Sequence, residues 1–284
     1  MLHGLLAYPL ISIPICGSTK HFDLDSQIEL CTRWYMMGAF MPILKINSEA
    51  PYRDPTSFDT DHHRNLVLNA FKFREKFFLY LYTILIKEEP IIRPMFYEFY
   101  SDLSTFHLDE QYMVGENLLL AQPFSPESSL MRVYLPQNET FYEYFGGMEY
   151  SGDRLGWVNL TYRPTDWFVF VRGGSILILL DEKVENEVKV EYFQVVVALK
   201  TGEGDESKKE AFGSVILDGI ELSVKSTESE VTISKDGSQD CCINGLDYPK
   251  IIDSFIFYGL NESKVEFNSV NFDFCGDNCV YTLT

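Results

Sequence analysis

The chain of 284 residues is 46% hydrophobic and 15% aromatic, which provides enough apolar surface for two or three compact units. Its 42 acidic and 23 basic residues give a formal charge of −19, which opposes binding to nucleic acid and to anionic membrane surfaces. No apolar run approaches the ~20 residues of a membrane-spanning helix, so we expect neither a nucleic-acid partner nor a membrane-spanning chain.

The first unit shows alternating α and β patterning. Residues 5–15 form an apolar run that predicts a buried strand, and residues 39–46 predict a second one. Between them, residues 25–35 have helical spacing, with apolar side chains on one side. This order indicates an α/β unit over residues 1–90.

The longest predicted helix precedes Pro90, which we expect to end it. Asp59 or Thr60 is the expected N-cap. Apolar residues at three- and four-residue intervals predict one buried face: Leu66, Ala70, Phe73, Phe77, Leu81 and Leu85. The basic residues between them predict a solvated face: Arg64, Lys72, Arg74 and Lys76.

After Pro94 the hydrophobic period changes from 3.6 residues to 2, which is typical of β structure. The first predicted strands are residues 118–121, 131–135, 141–145, 158–162, 168–171 and 175–179. The second series is residues 188–200, 214–217, 221–224, 231–234, 254–258 and 265–274. The polar, glycine-rich residues 201–210 predict a mobile loop. We therefore expect two all-β, sandwich-like units over residues 91–183 and 184–284.

The cysteines and histidines do not form a recognisable metal site. No cysteine pair has the C-x-x-C spacing of zinc and redox sites, and the adjacent His62 and His63 cannot face one ligand from a helix. We therefore expect no metal and no cofactor. Glycosylation sequons begin at Asn138, Asn159 and Asn261 and indicate the secretory pathway, with a lysosomal or extracellular location.

Three segments carry a resemblance to a known family. Residues 28–42 read I-E-L-C-T-R-W-Y-M-M-G-A-F-M-P, residues 73–83 read F-R-E-K-F-F-L-Y-L-Y-T, and residues 92–99 read I-R-P-M-F-Y-E-F. They resemble E-L-C-x-R-W-x-Q-L-G-A-F-Y-P-F, R-Y-x-L-L-P-Y-L-Y-T and V-x-R-P-L-x-x-E-F of glycoside hydrolase family 31 α-glucosidases. The likeness is strongest to the maltase, sucrase-isomaltase and lysosomal α-glucosidase group.

The resemblance implies a specific architecture. Residues 1–90 would hold the last two strands and the closing helix of a (β/α)₈ catalytic barrel, which takes about 250 residues when complete. Proximal and distal β domains would follow. The resemblance also implies a disulfide between Cys16 and Cys31, for which two ordinary buried thiols remain the alternative.

The catalytic groups of that family would lie upstream of this sequence. Retaining glycoside hydrolysis uses two carboxyl groups, a nucleophile and an acid/base. The family carries them in a D-M-N-E-type motif and a W-x-G-D-N motif, and this sequence contains neither. Residues 276–278, Gly-Asp-Asn, match three letters of the second motif and are interpreted as a chance turn. No catalytic residue is therefore assigned in this chain.

The resemblance also locates a degenerate substrate-binding remnant. The family's sugar-binding aspartate corresponds to Pro14, and its wall-forming phenylalanine corresponds to Ser18. The family's R-N-H becomes Lys45-Ile46-Asn47, so Lys45 and Asn47 are the remaining polar groups. Because an asparagine can still donate and accept hydrogen bonds, we expect weak binding of an α-glucoside or oligosaccharide.

Three interpretations remain open. The leading one is a family 31 fragment or degenerate homologue, inactive alone, whose catalytic half comes from an upstream segment or partner chain. The second is a non-catalytic carbohydrate-binding or partner-binding β module. The third is a truncated gene product with no independent role, whose open barrel would expose an apolar strand.

Overall fold

The computed structural model describes residues 10–16, 24–46, 54–58, 60–123, 129–163, 166–181, 191–202, 205–235, 250–260, 264–273 and 280–282. Across these ranges, every helix is too short or too polar to cross a bilayer. The chain forms a small α/β segment followed by β-sheets, and one long helix lies between them.

The α/β segment is a β-α-β unit. Strand β1 (Ser12–Ile15), helix α1 (Leu24–Gly38) and strand β2 (Ile43–Ile46) follow one another, and the two strands pair in parallel. Parallel pairing requires a crossover connection, which α1 provides. Part of the strand predicted over residues 5–15 lies outside the described residues.

The second strand is shorter and more exposed than its sequence predicts. Only Ile43–Ile46 is extended, and the preceding Ala39 and Met41 are buried in a turn. The guanidinium of Arg74 donates to the carbonyl oxygens of Ala39 at 2.8 Å and Pro42 at 2.9 Å, and it also binds that of Met41. The turn is therefore held by a charged partner 32 to 35 residues away along the chain.

Helix α2 (Asp61–Ile86) is the longest element. Thr60 caps it by accepting a hydrogen bond from the His63 amide, which confirms Thr60 as the predicted cap. The prediction that Pro90 ends the helix is wrong. The helix stops at Ile86, because Lys87 closes the last turn on the Thr83 carbonyl and Glu88 adopts a positive φ of 57°.

Helix α2 is buried on two sides. Phe77 and Leu81 belong to a core shared with α1, the first β-sheet and one face of the last sheet, whereas Leu79 packs into a second core formed by the last sheet alone. The hydroxyl of Thr83 accepts a hydrogen bond from the Ile216 amide of that last sheet at 3.1 Å. The single buried face predicted from the sequence is therefore incomplete, because a second face lies under another sheet.

The first β unit has a six-stranded antiparallel sheet and a two-stranded ribbon. The sheet has the order β3-β4-β5-β10-β7-β8, and the ribbon pairs β6 with β9. The strands are β3 (Ile92–Pro94), β4 (Gln111–Val114), β5 (Leu118–Ala121), β6 (Leu130–Leu135), β7 (Phe141–Glu143), β8 (Glu149–Tyr150), β9 (Gly156–Thr161) and β10 (Phe168–Arg172). A short helix, α3 (Met95–Glu98), and 3₁₀ turns at Leu103–His107 and Gly152–Arg154 complete this unit, and a further 3₁₀ turn, Pro55–Ser57, lies between β2 and α2. Apolar side chains of both layers form one core between them.

The last unit is a nine-stranded sheet. Its order is β18-β17-β12-β11-β14-β15-β16-β19, with β13 added on β14. The strands are β11 (Ser175–Asp181), β12 (Glu191–Ala198), β13 (Lys200–Gly202), β14 (Asp205–Leu217), β15 (Ile220–Thr227), β16 (Glu230–Lys235), β17 (Lys250–Tyr258), β18 (Val265–Asp273) and β19 (Val280–Thr282). Strand β11 precedes the predicted boundary at residue 183, yet it pairs with β12 and β14 of this sheet.

The mobile loop predicted over residues 201–210 is wrong. Strands β13 and β14 pair there as a hairpin, in which Lys200 is opposite Glu210 and Thr201 is opposite Lys209. Lys208 is exposed, and Lys209 and Glu210 are half-buried, so this hairpin keeps a polar composition. Composition alone does not distinguish such a strand from a loop.

The double burial of α2 gives a direct test with adjacent residues. Phe77 is fully buried, whereas Phe78 exposes 54% of its surface. We expect Phe77→Ala to lower the free energy of unfolding by about 3–5 kcal/mol, because it leaves a cavity in the shared core. Phe78→Ala should change it by less than about 1 kcal/mol. Urea unfolding followed by circular dichroism measures both, and equal losses would contradict the packing described.

Candidate functional site

The candidate site lies where β1 and β2 end side by side. Barrel enzymes place their catalytic and binding groups at the carboxyl ends of the parallel strands. In this pair Pro14 is opposite Lys45, and Ile15 is opposite Ile46. Pro14 and Lys45 are exposed, whereas Ile15 is buried. The structure therefore brings two of the predicted site positions into register, while Asn47 and Ser18 lie outside the described residues.

A disulfide fixes the end of β1. Cys16 directly follows the strand and is bonded to Cys31 of α1, with the two Cα atoms 4.6 Å apart. Cys31 is buried against Ile28 and Tyr35 in a small core beneath the strands. The bond ties the strand end to the crossover helix that follows it.

Close packing of α1 fixes the same strand from the other end of the helix. A Cβ atom placed on Gly38 would lie 2.4 Å from Cδ1 of Ile15. A larger residue there would force the Ile15 side chain to shift, so the glycine lets the last turn of α1 pack closely on β1. The backbone of the candidate site is thus set by the disulfide at one point and by this contact at another.

The described carboxylates near the strands have structural partners. Asp54 caps the turn at residues 55–57 and accepts hydrogen bonds from the amide and the hydroxyl of Thr56, at 2.9 and 2.8 Å. These bonds hold the pKa of Asp54 below its usual value, the backbone bond contributing most. Glu29 pairs with Arg33 at 2.7 Å. Both carboxylates stabilise the fold where they lie.

Arg33 and Gln122 join the α/β segment to the first β unit. The buried guanidinium of Arg33 donates to the Pro123 carbonyl at 3.2 Å, and the Gln122 amide donates back to the Arg33 carbonyl at 2.8 Å. This reciprocal pair connects α1 to the residues after β5. Helix α1, which packs on the strand ends, is therefore held against the first β unit.

The basic residues of α2 have divided roles. Arg74 turns inward and donates to the carbonyl oxygens before β2. The prediction that it lies on a solvated face is therefore wrong. Burial lowers the pKa of its guanidinium. Lys72 and Lys76 line a cavity of about 260 Å³ between α2 and the end of β11, together with Asn69, Phe73, Leu180 and Asp181. The spacing of residues along α2 could not reveal this cavity, because its opposite wall is formed by Leu180 and Asp181, which are distant in the sequence.

No cluster of three or more potential metal ligands occurs within the described ranges. The imidazole rings of His62 and His63 have centroids 5.3 Å apart. Nδ1 of His63 lies 3.3 Å from the hydroxyl of Thr32, and burial is the main cause that lowers the pKa of His63. The contact between His63 and Thr32 links α2 to α1.

Two of the three predicted sequons lie in described segments. Asn138 is exposed in the turn between β6 and β7, with a positive φ of 65°. Asn159 is exposed in the middle of β9. Asn261 lies outside the described residues.

A charge network beside the first sequon connects the two β units. Glu139 pairs with Arg172 of β10 and, at 3.1 Å, with Lys200 of β13. Arg172 also lies 3.8 Å from Glu98, which pairs with the buried Arg93. Burial opposes the charge on Glu139, but the hydrogen bonds and charges of Arg172 and Lys200 prevail, so its pKa is lowered.

The comparisons with known proteins match this arrangement. The model of the glycosyl hydrolases family 31 TIM-barrel domain matches residues 1–84, and that of the glycosyl hydrolase family 31 C-terminal domain matches residues 88–177. This chain belongs to family 31. The resemblance found in the sequence is confirmed, and so is the predicted fold, a barrel remnant followed by β domains.

Several curated glycosidases are similar to this chain. An alpha-xylosidase of Saccharolobus solfataricus is 29% identical over 178 residues, covering 61% of this chain and 24% of its own. Neutral alpha-glucosidase C of Homo sapiens is 29% identical over 181 residues, covering 61% and 20%. The matched region thus spans a quarter or less of the length of these curated relatives, from 24% down to 10%.

The fold likeness reaches beyond the sequence models. A family 31 dextranase of Flavobacterium johnsoniae superposes with a TM-score of 0.70 at 23% identity, over 91% of this chain and 33% of its own. A glucosidase II alpha subunit superposes with a TM-score of 0.65 at 18% identity, over 83% and 28%. Both share the fold of this chain, including its last β unit.

Removal of the disulfide should loosen the strand ends. The double variant Cys16→Ser, Cys31→Ser opens a loop with a sequence separation of 15 residues, which corresponds to a loss of about 3 kcal/mol in the free energy of unfolding. Guanidinium unfolding with and without dithiothreitol measures the loss. Reductant should destabilise the natural chain more than the variant, and equal sensitivity would contradict a stabilising bond.

The network around Glu139 predicts a pH dependence. A carboxyl whose pKa is lowered by folding stabilises the folded state above its unfolded pKa, and this stability is lost as the pH falls through the folded value. Glu139→Gln should therefore cost about 1–3 kcal/mol at pH 7 and progressively less below about pH 4. Urea unfolding at pH 7, 5 and 3.5 measures it.

Glu116→Gln, a change at an exposed turn residue, is the matched control and should have little effect at any of these pH values. A cost of Glu139→Gln that stays constant between pH 7 and 3.5 would show that the carboxylate charge does not stabilise this contact.

Proposed function

We propose that this chain is the C-terminal portion of a family 31 α-glucosidase-type hydrolase and that it does not cleave glycosides by itself. It would supply the last barrel strands and the β domains, and an upstream segment or a partner chain would supply the catalytic half. The observation that carries the proposal is the register of β1 and β2, which places Pro14 and Lys45 together at a strand end.

The chemistry of those positions supports inactivity. A retaining glycosidase needs two carboxyl groups about 5–5.5 Å apart. Pro14 has no carboxylate. The ammonium group of Lys45 donates hydrogen bonds and cannot accept them. Asp54 and Glu29 already hold structural partners. The sequence contains neither catalytic motif of the family.

The same positions support weak sugar binding. One exposed ammonium group can bind a sugar hydroxyl, but a pocket that recognises a monosaccharide needs several convergent polar groups. The expected substrate class of the complete enzyme is an α-glucoside. For this chain the expected ligand is an α-glucoside or oligosaccharide, held with low affinity.

A location in the secretory pathway completes the proposal. It is supported by the disulfide between Cys16 and Cys31, because such bonds persist in oxidising compartments. The exposed sequon asparagines Asn138 and Asn159 support it further. A lysosomal or extracellular destination is consistent with both features.

An activity assay tests the proposed inactivity. The purified chain is incubated with maltose and with p-nitrophenyl α-glucoside, beside a full-length family 31 α-glucosidase as the positive control. We expect no product above the enzyme-free blank. Glucose release that follows the chain through successive columns would overturn the proposal and would place a catalytic carboxyl pair within these 284 residues.

A binding titration separates this proposal from a dedicated carbohydrate-binding module. Maltose is added while tryptophan fluorescence is recorded, and we expect half-saturation above about 1 mM, corresponding to a binding free energy weaker than about −4 kcal/mol. Lys45→Ala should weaken this binding further, and Lys72→Ala, a change on α2, should not. Micromolar saturation that is insensitive to Lys45→Ala would favour the β-module interpretation.

A further inference from the structure

The ribbon of β6 and β9 has one buried face and one exposed face. Met131 and Val133 of β6 point into the core of the first β unit. The opposite face carries exposed Arg132, exposed Asn159 and Trp157, whose side chain exposes 49% of its surface. An indole exposed to this extent on an ordered strand is a large apolar surface in contact with water.

The indole of Trp157 is held in place by its neighbours across the ribbon. Trp157 pairs with Tyr134, and their rings meet edge to face with centroids 5.3 Å apart. The Tyr134 hydroxyl donates to Asp102 at 2.6 Å, which anchors that ring. The guanidinium of Arg132 lies over the Trp157 ring, 4.5 Å from its centroid, and so covers one face of the indole. Trp157 is therefore a fixed aromatic surface.

Asn159 shares this surface. It stands two residues after Trp157 in the same strand, so both side chains point to the same face, about 7 Å apart along the strand. Asn159 is also directly opposite Arg132. With Thr161 two residues further on, Asn159 begins a complete N-glycosylation sequon.

We propose that Asn159 carries an N-linked glycan whose first N-acetylglucosamine packs against the face of the Trp157 indole that Arg132 does not cover. One face of this sugar presents only C–H groups, which suit the electron-rich face of an aromatic ring. The outer face of the ribbon is thus a glycan-covered surface.

The modification uses a lipid-diphosphate-linked oligosaccharide as the donor. The side-chain amide nitrogen of Asn159 attacks the anomeric carbon of the first sugar and loses one proton. The new C–N bond replaces the bond from that carbon to the diphosphate oxygen, and the lipid diphosphate leaves. No electron is transferred, and the donor and the transferase belong to the endoplasmic reticulum.

Asn138 provides an internal comparison. It lies in a turn at positive φ, and the residue two positions before it is Pro136, so no aromatic ring stands in the equivalent place. A glycan at Asn138 would therefore lack a comparable aromatic surface. The two sequons separate the effect of carrying a sugar from the effect of packing it against Trp157.

The inference rests on the proposed passage through the secretory pathway. The experiment supplies that passage directly and so tests the contact between the sugar and Trp157 by itself. The full chain is directed to the endoplasmic reticulum of cells that retain high-mannose glycans, and the occupancy of each sequon is read by mass spectrometry. Endoglycosidase H then trims each glycan to its first sugar. Thr161→Ala supplies the same chain without a glycan at Asn159.

We expect Asn159 to be occupied, and the trimmed chain to unfold about 2–3 °C above Thr161→Ala, as one aromatic contact would produce. This difference in unfolding temperature between the trimmed chain and Thr161→Ala should vanish when both also carry Trp157→Ala. It should persist when both carry Trp157→Phe, which keeps an aromatic ring. Iodide should quench tryptophan fluorescence less in the trimmed chain than in Thr161→Ala. Asn138→Gly, which removes the other sequon without backbone strain, should leave these differences unchanged.

An unoccupied Asn159 would overturn the inference, as would equal unfolding temperatures of the trimmed chain and Thr161→Ala. A stabilisation that survives in Trp157→Ala would also overturn it, because the sugar would then act without the indole. None of these outcomes bears on the activity assay. Release of glucose by a chain glycosylated at Asn159 would overturn the proposed inactivity alone.

Discussion

The burial of helix α2 against two different sheets is the constraint on which the rest of the structure depends. Phe77 packs toward α1 and the first β unit, and Leu79 packs toward the last sheet. Burial on both sides leaves polar groups that need partners, and the structure provides them. The Tyr80 hydroxyl donates to the Val114 carbonyl at 2.7 Å, and the Thr83 hydroxyl accepts from the Ile216 amide. One helix therefore connects all three parts of the chain.

The geometry of the strand ends follows from that connection. Arg74, on α2, holds the carbonyls of the turn before β2, while the disulfide of Cys16 holds the end of β1. Each anchor acts on the backbone and not on a sugar-facing side chain. Substitutions at the exposed positions, such as Pro14 and Lys45, can therefore remove chemistry without disturbing the β-α-β unit. A family 31 fold is therefore compatible with few polar groups at the strand ends that the structure describes.

Local patterns predicted most elements, and long-range contacts account for most errors. Runs of four consecutive apolar residues identified β5 and β10, although neither strand alternates between polar and apolar positions. The strands β3 and β4 were missed, because Arg93 and Pro94 interrupt the first and Gln111 begins the second, so neither has four consecutive apolar residues. The inward role of Arg74 was missed as well, since its partners are carbonyl oxygens, which sequence does not distinguish. The disulfide between Cys16 and Cys31 was predicted from the family resemblance and not from the spacing of the cysteines.

The two sequons show how the same three-residue motif acquires different physical consequences from its surroundings. At Asn138 the neighbouring Glu139 belongs to an ion-pair network between the β units, so the local backbone is already fixed by charge. At Asn159 the strand is exposed on one face and its neighbour Trp157 has apolar surface in contact with water. A sugar at the first position would gain little from the protein, whereas a sugar at the second would cover an indole. On this view an exposed aromatic residue in a family of carbohydrate-processing enzymes does not by itself indicate a substrate site, because a covalently attached sugar satisfies the same surface.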